Sequence, residues 1–265
     1  MIDRRIPEPV QPVLEKYISL TDQQLPGLIS AFYVVGSIAL DGFNERFSDI
    51  DFIVALNRRA SLEELTMFTA IHKAIEQDFP GWPLSGGYVQ INDLGCLPDG
   101  MEPHPYYHDG KFHKEGYFEI NSVTWWVLKH YGVTIIGSEP GNLPFTVDWN
   151  LLVVRMKENL NSYWAGWTTR PGCILMILSD RDIQWTVLGV LRQYYTFRKN
   201  SITTKLKAAE YALTCLPERW HPLIQEAIDI REGKKDLHYR SKIVRMIEAV
   251  KFLKFVIQTS NKEFS

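Results

Sequence analysis

Only three cysteines occur in 265 residues, Cys96, Cys173 and Cys215, far apart and odd in number. That excludes a disulfide framework and a paired-cysteine zinc site, and implies free, buried thiols in a reducing compartment. Nor is there a surplus of one charge. The 29 Lys and Arg stand against 31 Asp and Glu, a formal net of −2. A chain so balanced offers no broad basic surface for nucleic-acid phosphates. Long apolar runs are also missing. The opening "MIDRRIPEPVQPVLEKYISL" has no apolar core of signal-peptide length, and no later run approaches a membrane span. A cytoplasmic protein, soluble and monomeric, with no membrane or nucleic-acid partner, is the expectation. Internal repeats and low-complexity tracts are lacking as well.

What the chain does have is aromatic side chains. Eight Trp, twelve Tyr and thirteen Phe include the clusters "TWWVLKHYG", "NSYWAGW" and "RQYYTF". Most such rings belong to a core; some could line a cleft for a flat or ring-shaped ligand.

The order of elements predicts an α+β fold in two parts. Residues 8 to 29 read as a leading helix. "AFYVVGS" and "SDIDFIVAL" read as buried partner strands, joined through Gly42. "SLEELTMFTAIHKAIEQDF" opens with Ser61 and Glu64 in capping-box spacing. "YVQINDL" and "GYFEIN" read as further strands on either side of a flexible loop bearing His104, His108 and His113, whose spacing fits no common zinc site. "SVTWWVLKHYG" is a helix stopped by Gly132, and "VTIIGSEP" a strand. From Asp148 onward five helical segments follow without a strand, which makes a bundle. The expected parts are a short mixed sheet flanked by helices over 1–148 and an all-α bundle over 149–265.

One stretch carries chemistry. In "YVVGSIALDGFNERFSDIDFIVAL", Asp49 and Asp51 are two apart and project to one side, while Ile50 and Phe52 project to the other. Two carboxylates so placed repel unless a cation lies between them, and Mg²⁺ takes oxygen ligands of this kind. Gly36 lets the backbone approach a ligand closely, and Ser37 adds a hydroxyl. Amides at such a turn hold phosphate. A phosphate grip and a metal grip in one place make a phosphoryl- or nucleotidyl-transfer arrangement.

"GSIALDGFNERFSDIDFIV" resembles the Gly-Ser…Asp-x-Asp signature of the polymerase-beta-like nucleotidyltransferases, with one residue more between Ser37 and Asp49 than in many members. "EGYFEINSVTWWVLKHYGVTIIGSEP" and "TTKLKAAEYALTCLPERWHPLIQEAIDIREG" are similar to segments of the adenylyltransferases that modify streptomycin and spectinomycin. The resemblance implies transfer of AMP from ATP to an aminoglycoside or aminocyclitol hydroxyl, with pyrophosphate released. It further implies Mg²⁺ on Asp49 and Asp51, phosphates at Gly36 and Ser37, and a lysine of the second domain, Lys205, closing on the triphosphate.

Related enzymes also place an acid on the next core strand, as general base or further metal ligand. In "GGYVQINDLG" Gln90 stands where that acid is expected, and glutamine cannot take a proton. Glu119, matching an acid of the similar segment, and then Asp93, are the candidates for it. The drug would meet Asp180, Asp182 and Trp185 of the second domain and a ring of the histidine loop, Tyr107. Two alternatives stay open: nucleotidyl transfer to another hydroxyl, and a nucleotide-binding protein that has lost its base.

Overall fold

Phe52, on a central strand, meets Tyr17 and His72 from two helices, Phe32 and Tyr88 from the strands on either side, all within 6.2 Å between ring centroids. Such pairs add about 0.5–1.5 kcal/mol each beyond their buried area. This aromatic layer is the core of the first of two units, Met1–Asp148 and Trp149–Ser265, into which the chain divides in the computed structural model. The structure describes residues 3–234 and 238–264.

The first unit runs α1 (Gln11–Gln24), β1 (Ile29–Val34), α2 (Gly36–Ala39), β2 (Ile50–Leu56), α3 (Leu62–Asp78), β3 (Leu84–Gln90), β4 (Tyr106–His108), β5 (Lys111–His113), α4 (Ser122–Tyr131) and β6 (Val133–Ile136). The sheet order is β5-β4-β3-β2-β1-β6. β2 and β3 pair in parallel, joined by the crossover helix α3, and the other pairs are antiparallel. Ser61 caps α3 through a capping box with Glu64, as its spacing predicts. Tyr17, Phe68 and His72 of α1 and α3 pack on the sheet face that carries Phe52 and Tyr88. There the Tyr88 hydroxyl meets Tyr17 Oη at 2.7 Å and His72 Nε2 at 2.5 Å.

Several expectations are corrected. β3 begins at Leu84 and ends at Gln90, so Asn92 and Asp93 lie in a 3₁₀ turn and not in the strand. "GYFEIN" forms no strand. Two further strands, β4 and the edge strand β5, come instead from the histidine loop, where "YYHDGKFH" folds as a hairpin about Asp109 and Gly110, both at positive φ (48° and 69°). Asp-Gly between such runs is the signature of a tight two-residue turn. The three cysteines are free, but Cys96 and Cys173 are partly exposed and Cys215 exposed, so none is a buried thiol.

The second unit is helical: α5 (Trp149–Asn159), α6 (Ala165–Thr169), α7 (Pro171–Met176), α8 (Asp180–Lys199), α9 (Lys205–Cys215), α10 (His221–Arg231) and α11 (Lys242–Glu263). Two of these were not expected. A π-helical turn over Leu160–Trp164 divides α5 from α6, and Pro171, read as a break, occupies the first turn of α7, where its missing N–H costs nothing. α8 packs on α9, α10 and α11. Arg245 of α11 ties them together: it is 1% exposed and donates to Glu226 Oε1 of α10, 0% exposed, at 2.9 Å. It also donates to Asp180 Oδ1 and to Leu178 O, at 2.8 and 3.1 Å. The second oxygen of Glu226 accepts from the Tyr239 amide. Among the described residues, no helix is long and apolar enough to cross a membrane.

Two predictions follow from this packing. Arg245→Ala strands Glu226 as a buried charge and is expected to cost about 3–5 kcal/mol in urea unfolding; a loss under 1 kcal/mol would refute the role given to the pair. Burial lowers the His72 pKa from 6.5 to about 3, and that of His104 to about 4. Both rings stay neutral in the fold but charge in the unfolded chain near 6.5. Their contribution is therefore whole above pH 6.5 and falls away as the pH drops toward the folded values. Each is expected to remove about 1.4 kcal/mol per pH unit across that window. Urea unfolding between pH 7 and 5 should show a shallower pH slope in His72→Phe than in the wild type.

Candidate active site

The chain leaves β1 at Val34 and turns sharply. Val35 N–H donates to Asp51 O at 2.9 Å, which seats the turn against β2. Gly36 follows with φ +60°, a conformation that costs an L side chain about 1–2 kcal/mol. Space also demands glycine: a Cβ at Gly36 would overlap the carboxylate of Asp51. Ser37 comes next, and its Oγ is buried without a hydrogen-bond partner among the described residues. Such a group costs about 1–3 kcal/mol if nothing meets it.

A structured loop returns the chain to β2. Asn44 Oδ1 accepts from the amides of Arg46 and Phe47, both at 3.1 Å, while Ser48 exchanges two bonds with the Asn44 backbone at 2.8 and 3.0 Å. Asp49 emerges one residue before β2 and Asp51 is the second residue of it. Strand alternation sends both to the face opposite Phe52. The two acids, an unpartnered hydroxyl and a turn held open by glycine suit a hard cation and the phosphate oxygens it would carry.

Register decides what stands beside Asp51. In the parallel ladder Asp51 pairs with Ser85, and Gln90 pairs with Leu56 at the far end of β3. Gln90 shares the phase of Gly86 and Tyr88, which is the aromatic face. It is therefore distant from Asp51 along the strand and turned the other way, and Asp93 lies beyond it, 3.4 Å from the Gln90 amide. The residue beside Asp51 on the next strand is Ser85, not Gln90. This residue escapes a sequence reading that starts the strand at Tyr88; counting from the strand's beginning, as for Asp51, reaches it.

Glu119 lies in a turn at φ +62°, and its Oε2 accepts from Thr124 Oγ1 at 3.2 Å near the start of α4. Tyr107 is 2% exposed and stacks on His72 at 3.7 Å, in the aromatic layer, so its ring is core and unavailable to a ligand. His108, its neighbour, projects to the Asp51 face and meets Ser85 Oγ through Nδ1 at 3.1 Å.

The remaining candidates belong to the second unit. Asp180 is bound to Arg245 and half exposed. Asp182 receives the Ser179 hydroxyl at 2.6 Å while its own amide donates to Ser179 Oγ, so it secures the start of α8. Trp185 packs against Trp164, Trp167 and Tyr163, with centroids 5.1 to 6.0 Å apart. Lys205 is the first residue of α9, after the Thr204 cap. The first unit thus brings together Gly36, Ser37, Asp49 and Asp51, and separates Asp93 and Tyr107 from them.

Comparison with known proteins bears on the C-terminal segment and on the fold. Residues 172–254 match the model of the family described as aminoglycoside adenylyltransferase, C-terminal domain. No curated protein matches the sequence. Among solved structures, the spectinomycin adenyltransferase AAD(9) from Enterococcus faecialis, solved with ATP and spectinomycin, superposes with a TM-score of 0.67. Identity is 13%, over 92% of this chain and 99% of that one. In its C-terminal segment this chain is similar to the aminoglycoside adenylyltransferases, and it shares its fold with the adenyltransferase structure.

Proposed function

We propose that the protein transfers AMP from ATP to a hydroxyl of an aminoglycoside or aminocyclitol antibiotic, such as streptomycin or spectinomycin, and releases pyrophosphate. The observation that carries this reading is the contact of the Asp51 carboxylate with the bare Cα of Gly36, beside the unpartnered Ser37 hydroxyl. Acid and phosphate-binding turn are thereby fixed against one another.

Asp49 and Asp51 would hold Mg²⁺, which when bound offsets the negative charge of the triphosphate. The Gly36 turn supplies backbone amides that a short helix leaves without intrahelical acceptors, and Ser37 supplies a donor. Both orient the phosphates for in-line displacement. Lys205, at the start of α9, would be the further phosphate ligand that the resemblance implies. Of Asp180 and Asp182, the acid proposed to meet a cationic drug is Asp180, half exposed though paired with Arg245 and 3.9 Å from Lys242. The protein would act as a monomer on a small molecule, in the cytoplasm, where its ATP is.

The reading predicts pyrophosphate release from ATP and Mg²⁺ with at least one of streptomycin, spectinomycin and kanamycin. Asp49→Asn and Asp51→Asn are each expected to lower that release by about 10²-fold or more. Undiminished release by Asp51→Asn would remove the metal assignment. Gly36→Ala should abolish turnover by displacing Asp51, while the far-ultraviolet circular dichroism of the chain stays as in the wild type.

A further inference from the structure

The Asp51 face of the sheet continues past Asp51 in a row of polar groups. Ser85 is its partner on β3. The antiparallel pairs Gly86–Tyr107 and Gly87–Tyr106 then set His108 opposite Ser85 on the next strand. Neighbouring strands lie about 4.8 Å apart, so three consecutive strands carry carboxylate, hydroxyl and imidazole side by side. Ser85 is 3% exposed, and its Oγ lies 3.1 Å from His108 Nδ1. The other ring nitrogen, Nε2, stands 3.4 Å from Asp109 Oδ2. Phe118 braces the imidazole, with centroids 4.3 Å apart. The ring is 38% exposed, open enough to exchange its proton with solvent after each cycle.

We propose that Ser85 and His108 form the path by which the acceptor hydroxyl loses its proton, with His108 Nδ1 as the group that finally holds it. The proposal rests on the adenylyl transfer argued above. As the acceptor oxygen bonds to the α-phosphorus, the bond from that phosphorus to the bridging oxygen breaks, and pyrophosphate leaves with the electron pair. The acceptor's proton passes to Ser85 Oγ while the proton of Ser85 passes to His108 Nδ1. The imidazolium so formed faces the Asp109 carboxylate, which orients the ring with its N–H on Nε2. A serine hydroxyl alone is too weak a base for this step, and an imidazole is the side chain suited to take a proton near neutrality. Ser85 thus stands on the next core strand, where an acid was expected, and His108 completes its chemistry.

The test is steady-state turnover with the drug that wild-type protein accepts. His108→Ala and His108→Gln are both expected to lower kcat by about 10²-fold or more, with the KM for ATP within about twofold and thermal unfolding unchanged. Imidazole in the buffer should restore part of the His108→Ala loss, which a purely structural role would not permit. Retention of kcat within about threefold by His108→Gln overturns the path. So does a loss confined to Glu119→Gln, which would hand the proton to Glu119. A separate readout needs no substrate: ¹⁵N spectra of the neutral His108 ring should show Nδ1 unprotonated, and a proton on Nδ1 overturns the proposal. Absence of turnover by wild-type protein with every drug defeats adenylyl transfer itself, and the path with it, whereas turnover that survives at His108→Gln defeats the path alone.

Discussion

The site is built on an absence of side chain. Asp51 can lie where it does because Gly36 has no Cβ, and Gly36 can turn as it does because φ +60° is open to glycine. The backbone bond from Val35 to Asp51 fixes the same approach from the other side. The Asp51 carboxylate and the Gly36 turn are therefore a single packed unit, whose separation is set by van der Waals contact. The Asn44–Ser48 loop adds the second acid at a defined point ahead of β2. None of this depends on long flexible side chains. Positioning of that kind suits a reaction in which the enzyme's main work is to hold charged groups in line.

The sheet carries two different materials on its faces. One face is an aromatic layer of Phe32, Phe52, Tyr88, Tyr107 and Phe112 closed by α1 and α3, with His72 buried among the rings. The other bears Asp51, Ser85 and His108. Alternation along β2, β3 and β4 separates them by one residue, so rigidity on one side is transmitted directly to geometry on the other.

Much of this was legible in the sequence because it is local. Gly36-Ser37 and Asp49-Ile50-Asp51 report their own conformation and facing, and the capping box of α3 states where a helix starts. What was not legible depends on register. Nothing within "LSGGYVQIN" says that its second residue, and not its seventh, lies beside Asp51, since pairing is settled by the crossover through α3. Gln90 was the wrong residue for that reason. The hairpin in the histidine loop was readable from Asp109-Gly110, yet its strands have three residues each, too short for alternation to show. Tyr107 looked like a ligand-facing ring in a loop until the strand turned it inward. In the second unit, local pattern located the long helices but did not show the π turn at Leu160–Trp164.

The two outermost strands of the sheet are short, β5 with three residues and β6 with four. An open edge offers unpaired amides and carbonyls to any passing chain, and longer, flatter edges recruit neighbours into continuous sheets. Here each edge exposes barely one hydrogen-bonding repeat, and β5 begins with an exposed lysine, Lys111. A six-stranded sheet with so hydrophobic a centre is thereby kept from growing sideways into aggregates, and the hairpin that carries His108 doubles as the guard of that edge.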